Sequence, residues 1–207
     1  LDNLLIHAEN VSARFGNVTV FKNISFRLET GSSMAITGPN GSGKSTLLQI
    51  VAGLQRTVSG TVTRRVNDAE ITVENFSAHA GYTGPLVNPY DMLTAAENLA
   101  FTVKDSAAKE RVIHLLDYFD LYKERNKIVK HFSSGMKQRL KLIHAFINDP
   151  VIIMLDEPGS NLDSTGKDKL FAKIEELKAG RIVIIASNEQ DEINLCGERV
   201  ELGKQNI

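Results

Sequence analysis

The sequence predicts an α/β fold: a core built on a parallel sheet, an antiparallel β-subdomain at its N-terminal end, and an inserted helical subdomain. Three observations point there. Residues 3–31 break into short pieces of strand-like alternation. Near the other end, "VIIML" (151–155) has no polar face, as a strand covered on both sides requires, and "RIVIIAS" (181–187) repeats the pattern after a helical stretch. Between about 81 and 148, helical periodicities follow one another without strands. With 207 residues, 42% of them apolar, the chain is long enough for one substantial domain, 1–207. Its α/β core and β-subdomain are expected from 1–80 and 149–207, and its helical subdomain from 81–148.

In chain order, "LLIHAENVSARF" is a strand reversed at Gly16-Asn17 into "VTVFKNISFRLE", which Thr30-Gly31 closes. "SMAIT" (33–37) is a short apolar strand that runs into a glycine-rich loop, and "KSTLLQIVAGL" continues with helical spacing. "GTVTRRV" and "AEITVENF" read as a further strand pair turning at Asn67-Asp68. Thr94 and Glu97 have the spacing of a capping box and open a helix through "ENLAF". Ser106 is expected to cap the next helix, where Val112, Leu115, Leu116 and Phe119 share a face. A third helix follows Ser133-Ser134, carries Met136, Leu140, His144 and Ile147 along one stripe, and stops at Asn148-Asp149-Pro150. "SNLDSTGKDKLFAKIEELKAG" holds a helix with Leu170, Ile174 and Leu177 inward and Gly180 at its end.

A formal charge of −1 gives no global attraction to nucleic acid or to an anionic membrane. Cys196 is the single cysteine, so no intramolecular disulfide forms and a reducing compartment is expected. No apolar run approaches the roughly 20 residues that span a bilayer. "LDNLLIHAEN" lacks the basic start and apolar stretch of a secretory signal, so the chain reads as cytoplasmic. The five histidines, His7, His79, His114, His131 and His144, show no metal-ligand spacing.

"GPNGSGKST" comprises Gly38, Pro39, Asn40, Gly41, Ser42, Gly43, Lys44, Ser45 and Thr46, and fits G-x-x-x-x-G-K-[ST] between a strand and a helix. Glycines let the backbone curl so that several N–H groups point at phosphate oxygens, and the helix start adds its positive dipole end. Lys44 suits the β- and γ-phosphates, Ser45 suits a magnesium ion, and Thr46 lies within reach of the α-phosphate. "VIIMLDEP" delivers Asp156 to the carboxyl end of a buried strand, where it can hold the metal through water. Glu157, one residue on, is the expected general base toward an attacking water.

Two more stretches give these motifs a family. "FSSGMKQRL" (132–140) is similar to a degenerate form of the LSGGQ signature, and "SNLD" (160–163) to the D-loop that follows the acidic strand end. Over essentially its whole length the chain resembles the nucleotide-binding subunit of an ABC transporter. That resemblance implies a P-loop NTPase (RecA-like) core and a head-to-tail homodimer, or a heterodimer with a related subunit, that sandwiches two ATP molecules with Mg²⁺. It also implies a transmembrane permease as partner and a peripheral place on the inner face of the cell membrane. Ser133, Gly135 and Asp163 would then face the ATP held by the other subunit. Phe15 falls where the family sets an aromatic ring against adenine, although a core role in the first strands fits it too.

Two positions depart from the family pattern. Where the family has its Q-loop glutamine, this chain has Pro85, or Leu86 in a slightly different alignment, and the nearest amide is Asn88. Where the family has its switch histidine stands Asn188, whose amide donates but is shorter and carries no proton; it would otherwise serve as a cap for the helix in "EQDEINL". Binding of ATP is expected to be intact, with slow hydrolysis that drives transport. The competing expectations are a clamp that dimerises on ATP with little hydrolysis, and a soluble ABC protein acting on nucleic acid or ribosomes. No coiled-coil arms and no basic block support the last, so no nucleic-acid partner is expected.

Overall fold

Alternation in the first thirty residues becomes a long hairpin in the computed structural model, which describes residues 2–203. β1 (Leu4–Phe15) pairs antiparallel with β2 (Val18–Glu29), and Phe15 faces Val18 across the predicted turn at Gly16-Asn17. Leu4, Ile6 and Ala8 are buried; the register then shifts at Asn10, which has φ 50°, so that Val11 and Ala13 reach the same core. A bulge of this kind inserts one residue and keeps an out-of-phase apolar pattern on a single face.

β3 (Ser33–Thr37), all five residues buried, enters the second sheet and leads into α1 (Lys44–Val51). β4 (Ser59–Val66) returns to the far side of β1, and β5 (Ala69–Glu70) completes a four-stranded sheet in the order β2-β1-β4-β5. Asn67 and Asp68, with φ of 51° and 65°, make the expected turn between them. The strand expected over "AEITVENF" ends after two residues, because Thr72 starts a short helix, α2 (Val73–Phe76), and Phe76 is buried in the core beneath it.

β6 (Ala80–Thr83) is an edge strand of the parallel sheet, so the first residues assigned to the helical segment are strand. α3 (Ala95–Ala100) begins with the expected capping box: Thr94 Oγ1 accepts from Glu97 N–H at 3.2 Å and Glu97 accepts from Thr94 N–H at 2.8 Å. α4 (Ser106–Tyr118) is capped by Asp105, which accepts from Ala108 N–H at 2.7 Å. The expected cap, Ser106, is instead the first helical residue. α5 (Ser134–Phe146) starts at the Ser133 cap.

β7 (Ile152–Asp156), α6 (Ser164–Lys178), β8 (Ile182–Ala186), α7 (Gln190–Ile193) and β9 (Glu198–Glu201) follow. The parallel sheet has the order β6-β7-β8-β3-β9. Its central strands lack a polar face because successive residues enter different cores. Ile152, Met154, Ile182 and Ile184 pack with α1 and the β-subdomain, while Ile153, Leu155, Val183 and Ile185 pack with α5 and α6. Each such side chain stabilises the fold by about 1.5–3 kcal/mol. Both layers press on β7 and β8, and so fix the strand ends that carry Asp156 and Ser187. Among the described residues no helix is long and apolar enough to cross a membrane.

Candidate functional site

The loop leaving β3 curls through Gly38, Gly41 and Gly43, at φ of 140°, 81° and 99°. A side chain at Gly38 would run into the Leu202 carbonyl and Ser42 Oγ, and one at Gly43 into Val20. Only glycine meets both the backbone angle and the space. Gly43 also caps α1 without any side-chain hydrogen bond, so the first-turn N–H groups of the helix keep their donor capacity. Ser42 N–H donates to Pro39 O at 3.0 Å and closes the turn. Lys44, only 6% exposed, is held by its Nζ donating to Gly38 O at 2.9 Å rather than to a carboxylate.

β7 brings Asp156 against this loop. Asp156 is 6% exposed, and its Oδ2 has no hydrogen-bond partner among the protein atoms. Burial pushes its pKa up; Ser45 opposes this through a hydrogen bond, Glu157 adds to it and Lys44 counters it. Glu157 is exposed and takes a left-handed φ of 46°, with its N–H donating to Ala186 O at 2.8 Å. Such a conformation in a residue with a Cβ is held by its surroundings, here the end of β8, and is common at working sites.

Two cavities meet along this seam. One, of about 420 Å³, is lined by Phe15, Asn40, Gly43, Lys44, Thr46 and Glu157, among others. Phe15 is 57% exposed, so it is a ring presented at the hairpin tip and not a core residue. The other cavity, of about 240 Å³, lies between Ser45, Thr83, Pro85, Gln138, Asp156 and Glu157. Pro85 therefore faces the acidic strand end without a polar side chain. Asn88 turns back, its Nδ2 donating to Pro85 O at 3.2 Å, and does not line that cavity.

Asn188 Nδ2 donates to Asn40 Oδ1 at 2.9 Å, which ties the tip of β8 to the phosphate loop. It caps nothing: the residue before α7 is Glu189, and the Ser187 hydroxyl accepts from Glu189 N–H at 3.0 Å. A third cavity, of about 380 Å³, runs between Asn40, Glu157, Ser160, Lys167, Asn188 and Glu192, among others.

None of these cavities is lined by Ser133, Gly135 or Asp163. Ser133 caps α5 by accepting from Met136 N–H at 3.2 Å. A side chain at Gly135 would crowd the Asn161 carbonyl. Asp163 caps α6, accepting from Gly166 N–H at 2.9 Å and from Arg139 at 2.9 Å, and these bonds hold its pKa low.

Among the buried polar residues of the site that sequence reasoning missed, two hold the loop that follows β7. Gln138, within the quoted signature stretch, donates to Pro158 O at 2.8 Å. Glu192, 1% exposed, accepts from Gly159 N–H at 2.7 Å. A Glu and a Gln on short or amphipathic helices look like surface residues, and only their burial sets them apart.

The residues present fit a polyphosphate with a divalent cation. The glycine cradle offers N–H donors and a sequestered ammonium, and the partnerless oxygens of Asp156 and Ser42 lie buried beside it. A carboxylate kept from water, adjoining a hydroxyl, is the hard oxygen donor set that magnesium takes.

The family model described as ABC transporter matches residues 21–160. A taurine import ATP-binding protein of Jannaschia sp. is 31% identical over 203 residues, 92% of this chain and 74% of the relative. The lipoprotein-releasing system ATP-binding protein of Bacteroides fragilis is 29% identical over 98% of this chain and 100% of its own length. Of the linearmycin resistance ATP-binding protein of Bacillus subtilis, 31% identical, the chain spans 65%. Among solved structures, an ATP-binding subunit of an ABC transporter is 26% identical with a TM-score of 0.83, covering 96% of this chain and 85% of that one. The fold of a dimeric bacterial ABC transporter cassette superposes with a TM-score of 0.82 at 24% identity, over 96% of this chain and 94% of that one. With the two layers, the phosphate loop and the acidic strand end all in place, this chain belongs to the ABC transporter family.

Proposed function

We propose that the chain is the ATP-binding subunit of an ABC transporter, which binds and hydrolyses MgATP at a head-to-tail dimer interface to drive a separate membrane permease. One observation carries this: the glycine cradle, the sequestered Lys44 and the partnerless carboxylate of Asp156 adjoin one cavity system. When bound, ATP supplies the phosphoryl group that is transferred to water, and Mg²⁺ neutralises its charge.

The rest is the work of this chain's residues. Phe15 presents a π-face on which a base stacks, worth about 1–3 kcal/mol. The α1 N-terminus and Lys44 hold the phosphates, while Ser45 and Asp156 hold the metal. Glu157 accepts the proton of the attacking water. Asn188 donates its amide toward the terminal phosphate. Ser133, Gly135 and Asp163 lie outside the cavities of their own subunit, which suits a role toward ATP held by a second copy. Leu86, Tyr90, Met92 and Phe101 are exposed on the helical side, the Tyr90 and Phe101 rings 6.0 Å apart, and offer the permease an apolar surface. The chain would then sit on the inner face of the membrane through that contact.

Pro85 and the Asn188–Asn40 bond favour a second reading, an ATP-dependent clamp with little hydrolysis. Phosphate release measured on the chain alone and on the complex with its permease separates the two. Turnover in the complex supports the ATPase; tight binding without turnover in either supports the clamp. A chain that fails to bind ATP at millimolar concentration overturns both.

A further inference from the structure

Glu192 takes no part in the chemistry above, yet it is among the most deeply buried charged residues of the molecule. It lies on α7, four residues beyond Asn188, at the floor of the 380 Å³ cavity. Its Oε1 accepts from Gly159 N–H at 2.7 Å, and its Oε2 has no protein partner. A side chain at Gly159 would run into that Oε1. Lys167 and Glu189, 3.9 Å apart, line the same cavity.

Gly159 belongs to the loop 157–163, which leaves the acidic strand end and carries Glu157, Ser160 and Asp163. Glu157 and Asn161 both sit at positive φ, 46° and 62°. Gln138 holds the loop from the α5 side through Pro158 O at 2.8 Å. Glu192 holds it from the other side at the next residue. A left-handed residue with a side chain, such as Glu157, persists where its surroundings hold it, and the bonds at Pro158 and Gly159 add to the one Glu157 N–H makes to Ala186 O. A buried carboxylate is retained at a cost in desolvation, which an ordinary packing residue would avoid.

Resting on the proposed ATPase activity, we propose that Glu192 is a positioning residue that clamps the loop 157–163 to the segment bearing Asn188. The general base, the Asp163 offered to a second copy and the phosphate-sensing amide are thereby kept in one frame. Glu192 touches neither nucleotide nor water in this role; it acts through the Gly159 N–H.

The test uses the whole chain and four variants. Glu192→Ala and Glu192→Leu remove the acceptor, Leu refilling volume; Glu192→Gln keeps an acceptor oxygen; Gly159→Ala displaces the carboxylate from the opposite side. Amide hydrogen exchange at residues 159–162, thermal midpoint, KM for ATP and kcat are measured on each. The expectation is faster exchange confined to 159–162, kcat lowered about tenfold or more and KM within about twofold of wild type for Ala, Leu and Gly159→Ala, with Gln restoring both. Should Glu192→Ala not fold, Gly159→Ala carries the same comparison. Wild-type exchange and kcat in Glu192→Leu would reduce Glu192 to a space filler and overturn the clamp. If the wild-type chain shows no phosphate release either alone or in complex with its permease, the ATPase falls, while the exchange pattern still decides whether Glu192 holds the loop.

Discussion

Asn188 shows what one side chain changes. Its amide reaches Asn40 of the phosphate loop at 2.9 Å, so one of its two N–H donors is already engaged within the protein. A well-placed donor to developing charge is worth about 2.7–4 kcal/mol, and a shorter, engaged one supplies part of that. Asn188→His is expected to raise kcat about tenfold with little change in KM, read by phosphate release; an unchanged kcat would show that the sensor is not limiting. Lys44→Ala should weaken ATP binding by about a hundredfold or more in equilibrium titration, because a sequestered ammonium facing phosphate acts through charge-assisted bonds. Pro85 and Asn188 stand out in the sequence as departures. Their neighbours could not be read there, since Asn40 is 148 positions away in the chain.

At the scale of elements, α1 is fixed at both ends. Its N-terminus is the cradle, and its C-terminal carbonyls are capped by the buried Arg64: Nε donates to Val51 O at 2.7 Å and Nη2 to Ile50 O at 2.8 Å. The guanidinium lies 5.1 Å from the Phe76 ring, and burial lowers its pKa. Arg64→Ala should destabilise the fold by about 2–4 kcal/mol, seen in urea unfolding, because it opens a cavity and strips two buried carbonyls.

α5 carries a pH response. His144 bonds Thr102 Oγ1 at 2.7 Å, and burial lowers its pKa from 6.5 to about 4. The unfolded chain takes a proton near pH 6.5 that the folded chain refuses until about pH 4. Stability from this residue is thus complete above the unfolded value and is lost as pH falls between the two. The drop in thermal midpoint from pH 7 to pH 5 should be smaller in His144→Leu; equal drops would assign the proton elsewhere. The capping box at Thr94 and the turn at Asn67-Asp68 were legible because three or four adjacent residues decide them. α2 was not: nothing local to "AEITVENF" reveals that Phe76 fills a gap beneath Arg64.

At the scale of the whole molecule, the candidate site residues fall into two separate groups. Lys44, Ser45 and Asp156 gather on one seam, while Ser133 and Asp163 cap helices, and Gly135 lies in the first turn of α5, outside those cavities. The proposed sandwich predicts that Glu157→Gln shifts from monomer to dimer on adding MgATP, measured by light scattering, and that wild type does so more weakly. A variant that stays monomeric at saturating ATP would remove the trans role of the signature helix.

The sequence by itself determined the fold class, the phosphate loop and the acidic strand end. Apolar period and contiguous motifs are local properties, set by how few residues each needs. Only the tertiary structure decided that Phe15 is a presented ring, that β6 and β9 edge the parallel sheet, and that Glu192 and Gln138 grip one loop from two sides. Those are outcomes of burial, and burial depends on which distant segments pack together; a short polar helix or a four-residue strand carries no sign of that in its own residues.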